Sequence, residues 1–254
     1  MSSSENIKAY IHIRKYAREI ASRFSSPVFY KKFKDANNFS SNFFKTNSIV
    51  RELREFVFTR LENDFGHGLK HAVKVSLDAG ALMIIECTPG GYSNEEIRRR
   101  VCIAQCAGLL HDIKRKEKNH AAAGAVYAAE VLKSYPFTPA EIQDICNAIH
   151  NHEAFKEILT FDRPERTLLS DCLYDADKFR WGSDNFTDTV WDMVMFSQTP
   201  LKEFIKRYPD GMKSLERIKN TFRSNTGKKY GPEFIDIGLA IGKELFKIIQ
   251  DEFS

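Results

Sequence analysis

No run of this chain approaches the roughly 20 apolar residues of a membrane span. The longest, 79–85 and 101–110, end in charge and read as buried helix faces. Cysteine is scarce as well: five in 254 residues, at positions 87, 102, 106, 146 and 172, with no C-x-x-C pair. That spacing speaks against a disulfide framework, and cysteines inside apolar helical patterns are expected to be reduced core residues. Cys102 and Cys106, four apart, offer two thiols to a metal in principle, but a buried free thiol is the commoner fate. An excess of either charge is nearly absent: 38 Lys and Arg against 34 Asp and Glu leave a net charge of +4. That is too weak to argue for nucleic acid, yet it suits an anionic substrate if basic residues gather near a site. The opening Met1-Ser2-Ser3-Ser4-Glu5 lacks the apolar core of a signal peptide, so a cytoplasmic location is expected.

Strand-type alternation is scarce too, and what recurs is helical periodicity, so the expected class is all-α. A first helix is read over 6–24, with Ile7, Tyr10, Ile11, Ile20 and Phe24 on its apolar side. A polar, aromatic-rich connection over 25–47 is expected to pack across the core or cover a pocket. Helices follow at 48–63, 69–86, 93–111, 119–135, 138–152 and 165–181. Ser93-Asn94-Glu95-Glu96 and Thr138-Pro139-Ala140-Glu141 are capping boxes, and Asn119 reads as another cap. Three or four helices are expected after Asp184, with joints at Thr199-Pro200, Pro209-Asp210-Gly211 and Gly231-Pro232. The organisation read from this is an N-terminal part, 1–47, a helical core, 48–185, and a C-terminal extension, 186–254, within one globule.

Histidine is the informative residue. Of seven, only His12 lies outside the stretch from His67 to His152, and the others fall at or near helix ends. Imidazole and carboxylate are the usual ligands of zinc, iron, manganese and related ions. His111-Asp112 supplies both, and neighbours about 100° apart on a helix can face one ion only near a helix end. His71 lies one turn into its helix, on a face with Val75, Asp78 and Leu82. Asp177 sits among apolar neighbours, where an acidic side chain needs a partner or a metal.

These residues occur in contexts that resemble the HD superfamily. Gly68-Leu69-Lys70-His71-Ala72-Val73 is similar to its first-histidine helix, Leu109-Leu110-His111-Asp112-Ile113 to its doublet, and Asp175-Ala176-Asp177-Lys178-Phe179 to its last-ligand segment. The likeness covers about residues 60–185. It implies an all-helical domain in which His71, His111, Asp112 and Asp177 hold a divalent metal, with His111 and Asp112 central to catalysis. The implied activity is a metal-dependent phosphohydrolase acting on a phosphomonoester or phosphoanhydride, a nucleotide being one candidate, through activated water. One ion is the first expectation. A second is open, because His120 and His152 match the extra histidines of two-metal members, and His152 matches better than His150. Mn, Fe, Zn, Co, Ni and Mg are not distinguishable.

Basic residues beside these positions are candidates for the substrate phosphate: Lys114 and Arg115 after the doublet, Lys178 and Arg180 after Asp177, with His67 as a turn histidine near the site. A solvated charge run is the plain alternative for 114–118. Phe179 and Trp181 are read as core. No Gly-Tyr-Pro signature follows the later histidines, which disfavours the cyclic-dinucleotide branch. Basic residues stand where alarmone hydrolases carry an acidic run. The partner expected is a small phosphorylated anion, with no membrane or nucleic acid, and the C-terminal helices are candidates for a homodimer contact. Two other readings stay open: a di-iron oxygenase of the same superfamily, which would need both His120 and His152, and a non-catalytic ligand-binding or scaffold domain.

Overall fold

The computed structural model describes residues 3–60, 68–160 and 164–253. Every regular element among them is helical, as the periodicity requires. The N-terminal part supplies α1 (Ser3–Ala21), α2 (Val28–Lys32), α3 (Lys34–Thr46) and α4 (Ser48–Phe58). The stretch 25–47, expected as a connection, is therefore two helices. Ser40, Phe43 and Phe44 recur at the three- and four-residue spacing of one helix face, and all three are buried. Phe29 is also fully buried.

The centre is built by α5 (Leu69–Cys87), α6 (Asn94–Leu110), α7 (His120–Leu132), α8 (Pro139–His150) and α9 (Pro164–Phe179). Ser93 and Thr138 form the two expected capping boxes. Asn119 precedes α7 but its side chain makes no cap bond, so that expectation fails. The last ten residues of α6 are almost wholly buried, which suits a helix surrounded by others. It packs against α5, α4 and α8, while α9 lies against α5 and α8. The approach of α5 to α6 depends on Gly108: a Cβ there would stand 2.7 Å from Ser76 Cα. Ser76 Oγ in turn donates toward Ala72 O and Gln105 O, tying the two helices together at that point.

A short π-helical turn, Asn185–Thr189, leads into α10 (Val190–Phe196), followed by α11 (Leu201–Ile218) and α12 (Asn225–Phe253). Thr199-Pro200 is a joint, but Pro209 and Pro232 lie inside α11 and α12. An interior proline costs roughly 3 kcal/mol of helix. Here apolar faces continue on both sides: Phe204 and Tyr208, then Leu215 and Ile218 in α11, and Phe234, Ile235, Leu239 and Ile241 after Pro232. Burial of those faces outweighs the lost bonds. Phe179 at the end of α9 stacks on Phe234 of α12, with centroids 4.0 Å apart and planes 7° from parallel. That contact joins the C-terminal helices to the segment carrying Asp177. All five cysteines are buried free thiols.

Candidate metal centre

α6 ends at Leu110, so His111 and Asp112 lie where the helix gives way to a turn and two neighbouring side chains can face one point. His71 comes from the first turns of α5, and Asp177 from the last turn of α9. All four are buried. His71 Nε2 and His111 Nε2 are 3.2 Å apart. Asp177 Oδ1 lies 3.2 Å from His71 Nε2 and 3.8 Å from His111 Nε2. Asp112 Oδ2 lies 3.4 Å from His111 Nε2 and 3.9 Å from His71 Nε2. Ligands about 2.1 Å from one ion stand about 3.0 Å apart at right angles and about 3.4 Å apart at tetrahedral angles. The cluster is thus only slightly wider than a single first-row cation would draw it, and the donor set fits such an ion.

A second group adjoins it through the other oxygen of the same carboxylate. Asp112 Oδ1 is 3.5 Å from His120 Nε2 and 3.4 Å from His152 Nε2, and those two nitrogens are 3.3 Å apart. Among the described residues, two sets could each hold an ion: His71, His111 and Asp112, and Asp112, His120 and His152. Two rings are oriented the same way: the Nδ1 atoms of His111 and His152 lie 2.7 Å and 2.6 Å from Gly108 O and Ile149 O. A carbonyl can only accept, so each Nδ1 carries a proton and each Nε2 is turned inward.

Electrostatics separates the two groups. Burial pushes the His111 imidazole down, but the Asp112 and Asp177 carboxylates outweigh it and raise it above the ordinary value. Burial would also push Asp177 up, yet the Lys178 ammonium and the two histidines hold it well below the usual carboxylate range. Lys178 Nζ is 2.5 Å from Asp177 Oδ2, leaving Oδ1 to the histidines. His120 goes the other way: burial lowers it to about 4, with Arg115 and His152 adding to the effect and Asp112 opposing it. Arg115 Nη1 is 2.8 Å from His120 Nε2.

Residues 68–182 match the family model of the HD domain. The chain carries an HD domain. The matched stretch of this HD domain takes in both histidine groups, from the residue before α5 to the residue after Trp181. A crystal structure described as a predicted HD superfamily hydrolase from an uncultured Thermotogales bacterium matches with a TM-score of 0.46 and 18% identity, over 81% of this chain and 93% of that one. Comparison with curated proteins finds no match.

The remaining candidates divide. Arg180 Nη2 pairs with Asp78 and donates to Tyr30 Oη at 2.6 Å, while Nη1 donates to Asp184 Oδ2 at 2.7 Å. It lines two cavities together with His71. Arg115 lines one of these. Lys114 turns away, 3.1 Å from Glu117 Oε1 and over the Tyr127 ring. His150 lies outside the cluster, with Nδ1 3.5 Å from Asn151 Oδ1. His67 falls outside the described residues. Phe179 is core, whereas half-buried Trp181 lines the larger cavity. Sequence reasoning passed over Glu153, whose Oε1 is 3.8 Å from His120 Nδ1, and Asp78, which anchors Arg180. A signal existed for Asp78, which shares the buried face of α5 with His71.

No described helix is long and apolar enough to cross a membrane.

Proposed function

We propose that this HD domain is a metal-dependent phosphohydrolase acting on a phosphomonoester or phosphoanhydride, with its first ion on His71, His111, Asp112 and Asp177. The second histidine pair would hold another ion, with Asp112 shared. The observation that carries this reading is the two-sided Asp112 carboxylate, each oxygen facing its own pair of histidine Nε2 atoms. Bound there, a divalent cation lowers the pKa of water toward neutrality and polarises a phosphoryl oxygen.

The chain's own groups supply the rest. His111 and His152 each give an Nδ1 proton to a backbone carbonyl, which aims Nε2 at the site. Arg180 is held rigid by Asp78, Tyr30 and Asp184, and among the described residues its buried Nε meets no acceptor. A phosphoryl oxygen provides one, as a charge-assisted bond. Arg115 stands at the other side of the cluster and can follow the charge as the water oxygen bonds to phosphorus and the ester oxygen leaves with a proton. A nucleotide is one member of this substrate class.

The test is phosphate release from a panel of phosphoesters and nucleotides by protein loaded with Mn, Fe, Co, Ni, Zn or Mg, alongside metal analysis. Metal-dependent release that Asp112→Asn abolishes is the expected result, and metal-loaded protein that releases none from the whole panel overturns the reading. The four histidines and two carboxylates also make a donor set for two irons, which keeps an oxygenase reading in view. Protein prepared anaerobically with iron, but retaining none, would remove it.

A further inference from the structure

The larger cavity beside His71, about 570 Å³, has walls unlike its end. Phe186, Val194, Phe204, Tyr208, Met212 and Leu215 line it from the π-helical turn, α10 and α11. At one end stand His71, Arg115 and Arg180. Many of its polar side chains are already engaged: Tyr208 Oη donates to Gly242 O, Ser197 and Thr199 pair at 2.7 Å, and Arg207 pairs with Glu203. These offer little to read the hydrogen-bonding edge of a nucleobase. The adjoining cavity, about 340 Å³, shares His71, Arg180 and Thr189 with it and has the opposite character. Its charged lining is Arg14, Arg18, Lys70, Lys74 and Arg180 against Asp184, Asp188 and Asp192. An amphipathic space thus runs from a cationic, metal-ligating end into an apolar hold, of a size usual for small-molecule sites.

We propose that the substrate is the phosphate ester of a long-chain aliphatic or isoprenoid alcohol, with its phosphoryl group at the His71 and Arg180 end and its hydrocarbon in the cavity between α10 and α11. This rests on the phosphohydrolase reading and specifies its substrate. Arg180 supplies charge complementarity at the junction, being nine-tenths buried with an unpartnered Nε among the described residues. The methionines and branched side chains match a flexible chain, which needs contact area and no polar partner.

Binding of n-alkyl phosphonates from methyl to dodecyl, measured by calorimetry on the Mn-loaded full chain, tests this without turnover. Affinity is expected to rise about threefold to fourfold per methylene until the cavity is filled, and decylphosphonate should bind at least tenfold tighter than AMP. Gly211→Trp enters open space at the cavity lining, where an added Cβ meets nothing within 4 Å. It is expected to cut dodecylphosphonate affinity at least tenfold and flatten the chain-length slope. Met193→Asp, at an exposed lining residue, should do the same and guards against a misfolded variant, with a thermal melt as the check. A flat slope in the wild type, a slope that survives both folded variants, or AMP binding tighter than decylphosphonate overturns the proposal. A steep slope with no phosphate released from decyl phosphate or from any member of the phosphoester and nucleotide panel leaves this binding assignment standing and sinks the parent reading. Phosphate release with a flat slope does the reverse.

Discussion

The two histidine groups meeting at Asp112 are alike in composition and opposite in charge preference. On one side, His111 is raised above its ordinary value by two carboxylates, so its surroundings attract positive charge. On the other, His120 is lowered to about 4, first by burial, and an arginine stands 2.8 Å away. The first group has Asp112 and Asp177, while the second has one oxygen of Asp112 and the more distant Glu153. A site with two carboxylates, whose neighbouring cation Lys178 takes Asp177 Oδ2 and leaves Oδ1 to the histidines, should fill first. A second ion must displace Arg115 from His120, so its affinity is expected to be weaker and more sensitive to the substrate, whose phosphate gives Arg115 another partner.

The sharpest way to break this contrast is Asp112→Asn, which touches both groups. Loss of both ions and a fall in phosphate release of roughly 10³-fold or more are expected, read by metal analysis and turnover. If one ion survives at full occupancy, Asp112 is not the shared element. His120→Ala combined with His152→Ala addresses one side alone: the ion count should fall by one and turnover by roughly 10²-fold. An unchanged count would show that only the first group binds metal. Gly108→Ala addresses the other side through the scaffold. Its Cβ would stand 2.7 Å from Ser76 Cα, so α5 and α6 must part, costing about 1–3 kcal/mol of stability. Because Gly108 O also orients His111, the tighter ion should weaken more than the looser one, separable by a chelator titration.

The smallest effect is a dependence on pH. An unfolded histidine titrates near about 6.5, whereas His120 in the fold titrates near about 4. Between those values the unfolded chain binds a proton that the folded chain refuses, so stability rises with pH across the window and is lost on acidification. Melts of metal-free protein from neutrality down to that range should show the decline, and His120→Gln should flatten part of it. An identical slope in the variant would assign the decline to other groups.

Much of this arrangement was legible beforehand, for physical reasons. His111-Asp112 stood where an apolar run gave way to charge, which is how a helix end announces itself, and the helix does end at Leu110. Asp177 among apolar neighbours implied burial, and it is buried. Ser93 and Thr138 fixed two helix starts through local bonds alone. What stayed hidden depends on tertiary packing. Pro209 and Pro232 read as breaks because the burial that keeps α11 and α12 continuous comes from distant partners. Phe43 and Phe44 looked like a loop's aromatics because the buried face they share with Ser40 is completed only by the other helices. Lys114 and Arg115 are neighbours in sequence, yet one turns to Tyr127 and the other to His120. No local rule separates them. The apolar cavity is lined by side chains of the π-helical turn, α10 and α11 together with Trp181, and it had no signature at all.

His111 and His152 each fold back onto a carbonyl three residues earlier, at the closing turn of their own helix. Each ring is therefore aimed by the rod that carries it, and not by the stretch of chain that comes next. Apart from Asp112, Arg115 and His120, the residues that follow these two histidines can change composition while the inward nitrogens stay where they are, which leaves that rim free to diversify around a fixed centre.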